Sequence, residues 1–125
     1  MDVKYFEVYE GLHVSYDVLT GTSNDVYVLL PSLGDIRQEY RYLAPLLHQD
    51  GLNTVYSVDL RGMGESDVQF SSYTPLDSGK DVATIIELII KKDLHSKFIL
   101  VGNEIVFNFS AMKSSKNYLY DNILF

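Results

Sequence analysis

Apolar and polar residues alternate in two short stretches near the start of the chain, Phe6-Glu7-Val8-Tyr9-Glu10 and Leu12-His13-Val14-Ser15-Tyr16-Asp17-Val18, with Gly11 between them. Period-two alternation around a glycine predicts an antiparallel hairpin with one wet face. Residues 21–25, Gly-Thr-Ser-Asn-Asp, read as a loop. The pattern then changes. Val26-Tyr27-Val28-Leu29-Leu30 is apolar without a break, as in a strand covered on both faces of a parallel sheet. Thr54–Val58 and Phe98–Val101 read as two more short strands.

Helical periodicity fills the intervals. From Gln38 to Asp50, Tyr40, Leu43, Ala44 and Leu47 share one face. Pro45 either lies in the first turn of a helix that begins near Ala44 or kinks a longer one. Gly51 fits a C-terminal stop. From Leu76 to Lys92, Val82, Ile85, Ile86, Ile89 and Ile90 form a single stripe, and Lys91 and Lys92 suit the negative end of the helix dipole. Ile105 to Lys113 reads as one more short helix, and Ser114 to Phe125 has little pattern. The reading is therefore a domain over 1–113 and a divergent tail over 114–125. Strand–helix–strand–helix–strand with short apolar strands implies right-handed parallel crossovers. The fold class is α/β, an N-terminal antiparallel hairpin followed by parallel strands with crossover helices.

Composition narrows the function. The 125 residues suit one domain. Ten basic residues against seventeen acidic ones give a net charge of −7, which argues against a nucleic-acid partner and against docking on anionic membrane. The absence of cysteine removes disulfides, thiolate metal sites and cysteine nucleophiles together. The first residues lack a basic region followed by an apolar core, and Val82 to Ile90 is too short to span a membrane, so the expected location is cytoplasmic. No cofactor and no metal are expected.

In an open α/β sheet, ligands bind beyond the C-terminal ends of the strands. Three such ends are Pro31–Asp35, Asp59–Ser66 and Gly102–Glu104. The strings Leu29-Leu30-Pro31-Ser32-Leu33-Gly34-Asp35, Tyr40-Arg41-Tyr42-Leu43-Ala44-Pro45-Leu46-Leu47, Val58-Asp59-Leu60-Arg61-Gly62-Met63-Gly64-Glu65-Ser66 and Val101-Gly102-Asn103-Glu104-Ile105 follow one another in that order. Together they resemble the first half of an α/β-hydrolase, from about Tyr9 to about Met112. The Asp-Leu-Arg-Gly-x-Gly-x-Ser loop is the most specific piece. The resemblance implies a nucleophile elbow, G-x-S-x-G, after the fifth strand, and an oxyanion hole made of backbone N–H groups. Gly102 matches the first glycine, Glu104 stands at the serine and Val106 at the second glycine. The oxyanion donors would be Ile105 and Leu33. Asp59, Arg61, Gly62, Gly64, Ser66 and Gly102 would be structural loop residues.

The departures decide the functional expectation. In that family the acid and the histidine follow the nucleophile. Only twenty-one residues follow Glu104 and none is histidine; His13, His48 and His95 all precede it. A serine nucleophile needs a base and an oriented group behind it. A glutamate could attack directly, but the ester it formed would still require an activated water. Asp59 and Glu65 are expected to orient their loop through hydrogen bonds, with Arg61 as the nearby partner. Gly62-Met63-Gly64 is half of a dinucleotide fingerprint after the wrong strand. The ten tyrosines read as packing residues.

The reading is thus an α/β-hydrolase-like protein, truncated after the elbow and inactive alone. The alternatives are one part of a split acyl hydrolase, with base and acid on another chain, and a non-catalytic binding module. In the family's sheet order Phe98–Val101 lies beside Val26–Leu30, with further strands beyond it. An apolar edge there needs cover from the tail, from a second copy of the chain or from a complementary chain.

Overall fold

The computed structural model describes residues 3–32, 34–92 and 96–102, together with a two-residue strand at 123–124. The hairpin forms as expected. β1 (Lys4–Tyr9) pairs antiparallel with β2 (Leu12–Leu19), with Phe6 opposite Val14. Gly11 makes the reversal at a φ of +73°, a conformation that suits glycine. Phe6 and Val8 are buried while Tyr5, Glu7 and Tyr9 face water, which is the alternation of a one-sided strand.

The remaining strands are β3 (Asp25–Leu29), β4 (Thr54–Val58), β5 (Lys97–Val101) and β6 (Ile123–Leu124), and the sheet order is β1-β2-β4-β3-β5-β6. β2 runs antiparallel to β4, whereas β4, β3, β5 and β6 are mutually parallel. The unbroken apolar run of β3 follows from cover on both faces. Val26, Val28 and Leu30 join Tyr56, Val58, Phe98, Leu100 and the helical stripe in the larger core. Leu29 packs with Val55 and Ala44 in a smaller cluster on the opposite face.

α2 (Pro75–Ile90) carries its stripe as the periodicity requires, with Val82, Ile85, Ile86 and Ile89 buried and Ile90 at the margin. Its start is sharply defined. The Asp77 N–H donates to Thr74 Oγ1 (3.1 Å) and the Thr74 N–H donates back to the Asp77 carboxylate (3.1 Å), with Pro75 opening the helix.

The helical span expected from Gln38 to Asp50 is divided. A 3-10 turn covers Arg37–Tyr40, and α1 covers only Leu43–His48. Pro45 is the third residue of α1. Its nitrogen has no proton for the carbonyl four residues back, so a regular helix begins just ahead of it and not earlier. The stop also comes early: Gln49 and Asp50 already adopt positive φ (49° and 53°) before Gly51. The N–H groups of Leu52 (2.9 Å) and Asn53 (3.1 Å) return to the His48 carbonyl, and the Asn53 side chain donates to Leu47 (2.8 Å).

β5 lies beside β3 as the resemblance implied, but it is not an open edge along its whole length. β6 pairs with it, Phe98 opposite Ile123 and Ile99 opposite Leu124. Of the three covers expected for the edge at Phe98–Val101, the tail supplies part, because two of its residues give β5 backbone partners. No described helix is long and apolar enough to cross a membrane. The helix expected at Ile105–Lys113 and the rest of the tail lie outside the described residues.

Candidate functional site

The parallel register brings the C-terminal ends of β4, β3 and β5 side by side on one rim. The loop after β3 turns at Gly34, whose φ is +90°. It is braced by the Asp35 N–H on the Ser32 carbonyl (2.9 Å) and the Ser32 N–H on the Glu39 carboxylate (3.2 Å). The Tyr40 hydroxyl donates to the Leu30 carbonyl (2.7 Å), tying the strand end to the 3-10 turn. Burial, helped by the charges of Glu39 and Asp35, pushes the Tyr40 phenol up to about 12.

The loop after β4 is built around Asp59, which is fully buried. A buried carboxylate is stable only when its lone pairs are filled. Here it accepts from the Ser15 hydroxyl (2.6 Å), the Arg37 backbone N–H (2.6 Å), the Arg37 guanidinium and the Glu65 N–H (3.3 Å). Ser66 closes the same knot, with its hydroxyl on the Asp59 carbonyl (3.0 Å) and the Ser15 N–H on its Oγ (2.9 Å). Gly64, at φ +52°, lies directly against the carboxylate, and a Cβ there would stand 2.5 Å from Asp59 Oδ1. Gly62 makes a similar close approach to the Tyr73 ring. The glycines of the motif are thus explained by contact as well as by backbone angle.

Arg37 is the hub that the sequence did not reveal. It is 5% exposed and also reaches Asp17 on β2 (2.9 Å) and Glu65 in the loop (2.7 Å). Burial opposes its charge, but hydrogen bonds to Glu65, Asp59 and Asp17 outweigh that and hold the guanidinium above its ordinary range. The loop partner expected for Asp59 and Glu65 was Arg61, and this is corrected. Arg61 turns instead to α2, pairing bidentately with Asp81 (2.7 and 2.6 Å), donating to the Ser72 carbonyl (2.8 Å) and lying 4.2 Å over the Phe70 ring. The hydrogen bonds to Asp81 raise the Arg61 pKa against the opposing effect of burial. The two arginines brace opposite sides of one loop. Among the described residues, no group of His, Asp and Glu is placed to hold a metal ion.

Gly102 follows β5 at the third position of the rim and is partly buried. Leu33, Glu104 and Ile105, the oxyanion and nucleophile positions of the resemblance, lie outside the described residues, as does His95. Of the other histidines, His48 sits at the opposite rim, its Nε2 2.9 Å from the Thr20 carbonyl. His13 is on the candidate rim because β2 runs antiparallel. It is held there by the Asp67 carboxylate through its backbone N–H (2.8 Å) and Nδ1 (3.1 Å). Hydrogen bonding and the charge of His13 hold the Asp67 pKa below its usual value. Three strand spacings separate β2 from β5, roughly 14 Å at the usual interstrand distance. Sequence reasoning missed Arg37, Ser15, Tyr40 and Asp81. Their partners lie 10 to 51 positions away, and no local spacing signals them.

No protein-family model matches the sequence, and no curated protein matches it either. Solved structures do. The chain is similar to a bromoperoxidase from Bacillus anthracis, with TM-score 0.76 and 20% identity over 98% of this chain and 42% of that one. It is similar to the M263Q mutant of an epoxide hydrolase from Vigna radiata, with TM-score 0.72 and 18% identity over 98% and 36%. A third is an esterase from Exiguobacterium antarcticum, with TM-score 0.74 and 18% identity over 95% and 41%. The chain thus has the α/β-hydrolase fold over the part it spans, and it spans about two fifths of the length of these proteins.

Proposed function

We propose that these 125 residues form the N-terminal half of an α/β-hydrolase scaffold of the acyl- or ester-hydrolysing kind and do not by themselves turn over esters at a robust rate. The observation that supports this is the uneven rim. The loops after β3 and β4 are assembled and braced, yet neither described histidine stands near the end of β5. A hydroxyl nucleophile needs a base within hydrogen-bond reach, and a carboxylate nucleophile needs one to activate the water that releases the product. Neither His13 nor His48 stands beside the described end of β5, after which Glu104 takes the nucleophile position by resemblance. Weak acceleration from backbone donors alone is the expected ceiling.

A second reading is favoured by the coverage of the solved structures. The chain matches 36 to 42% of their length, and in this reading the base and acid lie on a complementary polypeptide and the pair is the enzyme. A non-catalytic binding module is the third reading. Hydrolysis of a fluorogenic short-chain ester by the purified chain separates the first reading from an active enzyme. Repeating it with a complementary C-terminal half of an α/β-hydrolase separates the first from the second, because only the second predicts that turnover appears on mixing.

A further inference from the structure

Three residues in a row, Gln49, Asp50 and Gly51, take positive φ (49°, 53° and 98°) where the chain leaves α1 for β4. Left-handed backbone is costly for a residue with a side chain, and aspartate is one of the few that adopt it. The ends of this turn are pinned. The His48 carbonyl accepts from Leu52 (2.9 Å) and Asn53 (3.1 Å), and the carbonyls of Gly51 and Leu52 accept from the N–H groups of Thr22 (3.0 Å) and Ser23 (2.8 Å). The middle is not pinned. Asp50 is exposed, and neither its carboxylate nor its carbonyl has a hydrogen-bond partner among the described residues. The Gly51 N–H has none there either.

That combination has a chemical consequence. Attack by a backbone nitrogen on the carboxyl carbon of the preceding aspartate closes a five-membered ring. The reaction needs an unengaged carboxyl, an unengaged nitrogen and no Cβ on the following residue to block the approach. All three meet at Asp50-Gly51, the one Asp-Gly pair in the chain. The space is also open, with no atom within 4 Å of where a Gly51 Cβ would stand. Asp77-Ser78, where a small residue again follows an aspartate, is the internal contrast. The Asp77 carboxylate accepts from Ser72 and from the Thr74 N–H (3.1 Å) and hydroxyl (2.8 Å). Ser78 is 2% exposed and its N–H donates to the Thr74 carbonyl (3.2 Å).

We propose that Asp50 is a site of spontaneous isomerisation to isoaspartate, and that the product loosens the join between the loop at 20–25 and the start of β4. With the side chain in its neutral acid form, the Gly51 nitrogen bonds to Asp50 Cγ. The carboxyl hydroxyl leaves with the amide proton as one water, and a succinimide remains. Water then adds at one of the two ring carbonyls. Breaking the Cγ–N bond restores aspartate. Breaking the bond from nitrogen to the original main-chain carbonyl leaves the backbone running through Cβ and turns that carbonyl into the carboxylate. Mass is unchanged, but the main chain gains one atom between pinned ends, at the expense of the Thr22 and Ser23 bonds. The site is on the rim opposite the candidate site and does not rest on the hydrolase reading.

The test is ageing of the full, folded chain in mildly acidic buffer at physiological temperature, followed by proteolytic digestion and mass spectrometry of the separated peptides. The peptide containing Asp50 should divide into two peaks of identical mass, the new one accepting a methyl group from an isoaspartyl methyltransferase. The peptide containing Asp77 should stay single. Asp50→Glu alters an exposed side chain with no partners to lose, so folding is not at stake, and it would have to close a six-membered ring. It should show no second peak. The isomerised chain, separated from its parent, should unfold at a lower urea concentration. A single Asp50 peak after ageing, equal isomerisation at Asp77, a second peak that persists in Asp50→Glu, or an isomer that unfolds together with the parent overturns the proposal.

Discussion

Replacing Gly64 by alanine isolates the feature on which the loop after β4 depends. At φ +52° any side chain carries the left-handed penalty, about 1–2 kcal/mol. The added methyl also lands 2.5 Å from Asp59 Oδ1. That carboxylate cannot swing aside cheaply, because Ser15, the Arg37 backbone and the Arg37 guanidinium all hold it. Giving up one hydrogen bond to a charged group costs about 1.5–3 kcal/mol, so the expected loss is about 2.5–5 kcal/mol. Gly11→Ala is the internal control. Its φ is +73° but nothing lies within 4 Å of a Cβ there, so only the backbone part, about 1–2 kcal/mol, applies. Urea unfolding followed by circular dichroism measures both. In an Arg37→Met background the Gly64→Ala penalty should shrink, because Asp59 is then freer to move. Equal losses in the two glycine variants, or a penalty indifferent to Arg37, would refute the reasoning.

Other consequences follow from the same contacts. Arg37→Met strands a fully buried carboxylate and should cost about 3–5 kcal/mol in urea unfolding, less whatever the remaining donors on Asp59 recover. Asp77 is held at about 2 by hydrogen bonds from Ser72 and Thr74, so it favours the folded state above its unfolded value of 3.8. That contribution should fade as pH falls from about 4 to about 2, and Asp77→Asn should flatten the acid limb of a stability–pH curve. Tyr40 titrates in the opposite sense. Its raised phenol stabilises the fold below pH 10 and loses that effect as pH climbs towards 12, and Tyr40→Phe should remove this alkaline dependence while costing about 1 kcal/mol at neutral pH.

The parts of the fold that were legible in the sequence are those set by periodicity. The hairpin shows in the alternation around Gly11, the central strands in unbroken apolar runs, and α2 in its five-residue stripe. Each reflects which faces an element must bury, and burial repeats along the chain at the period of the element. The division of the first helical span was half visible: Pro45 allowed either a helix beginning near Ala44 or a kinked longer one, and the first holds, with α1 at Leu43–His48. The brace of the candidate site was not legible. Nothing near Arg37 announces that it will meet Asp17, Asp59 and Glu65, because those partners are assembled by sheet order and not by spacing. Arg61 looked like the natural partner of Asp59 two positions away, yet its side chain turns to α2 and Asp81.

The proposal that this scaffold supplies binding and backbone geometry but no proton relay is tested most directly by one rate. Purified chain, confirmed as folded by circular dichroism, is assayed on a fluorogenic short-chain ester beside its Glu104→Gln variant. The account predicts turnover near the uncatalysed background and the same value for both proteins. Rapid turnover by the parent that disappears in Glu104→Gln would contradict it.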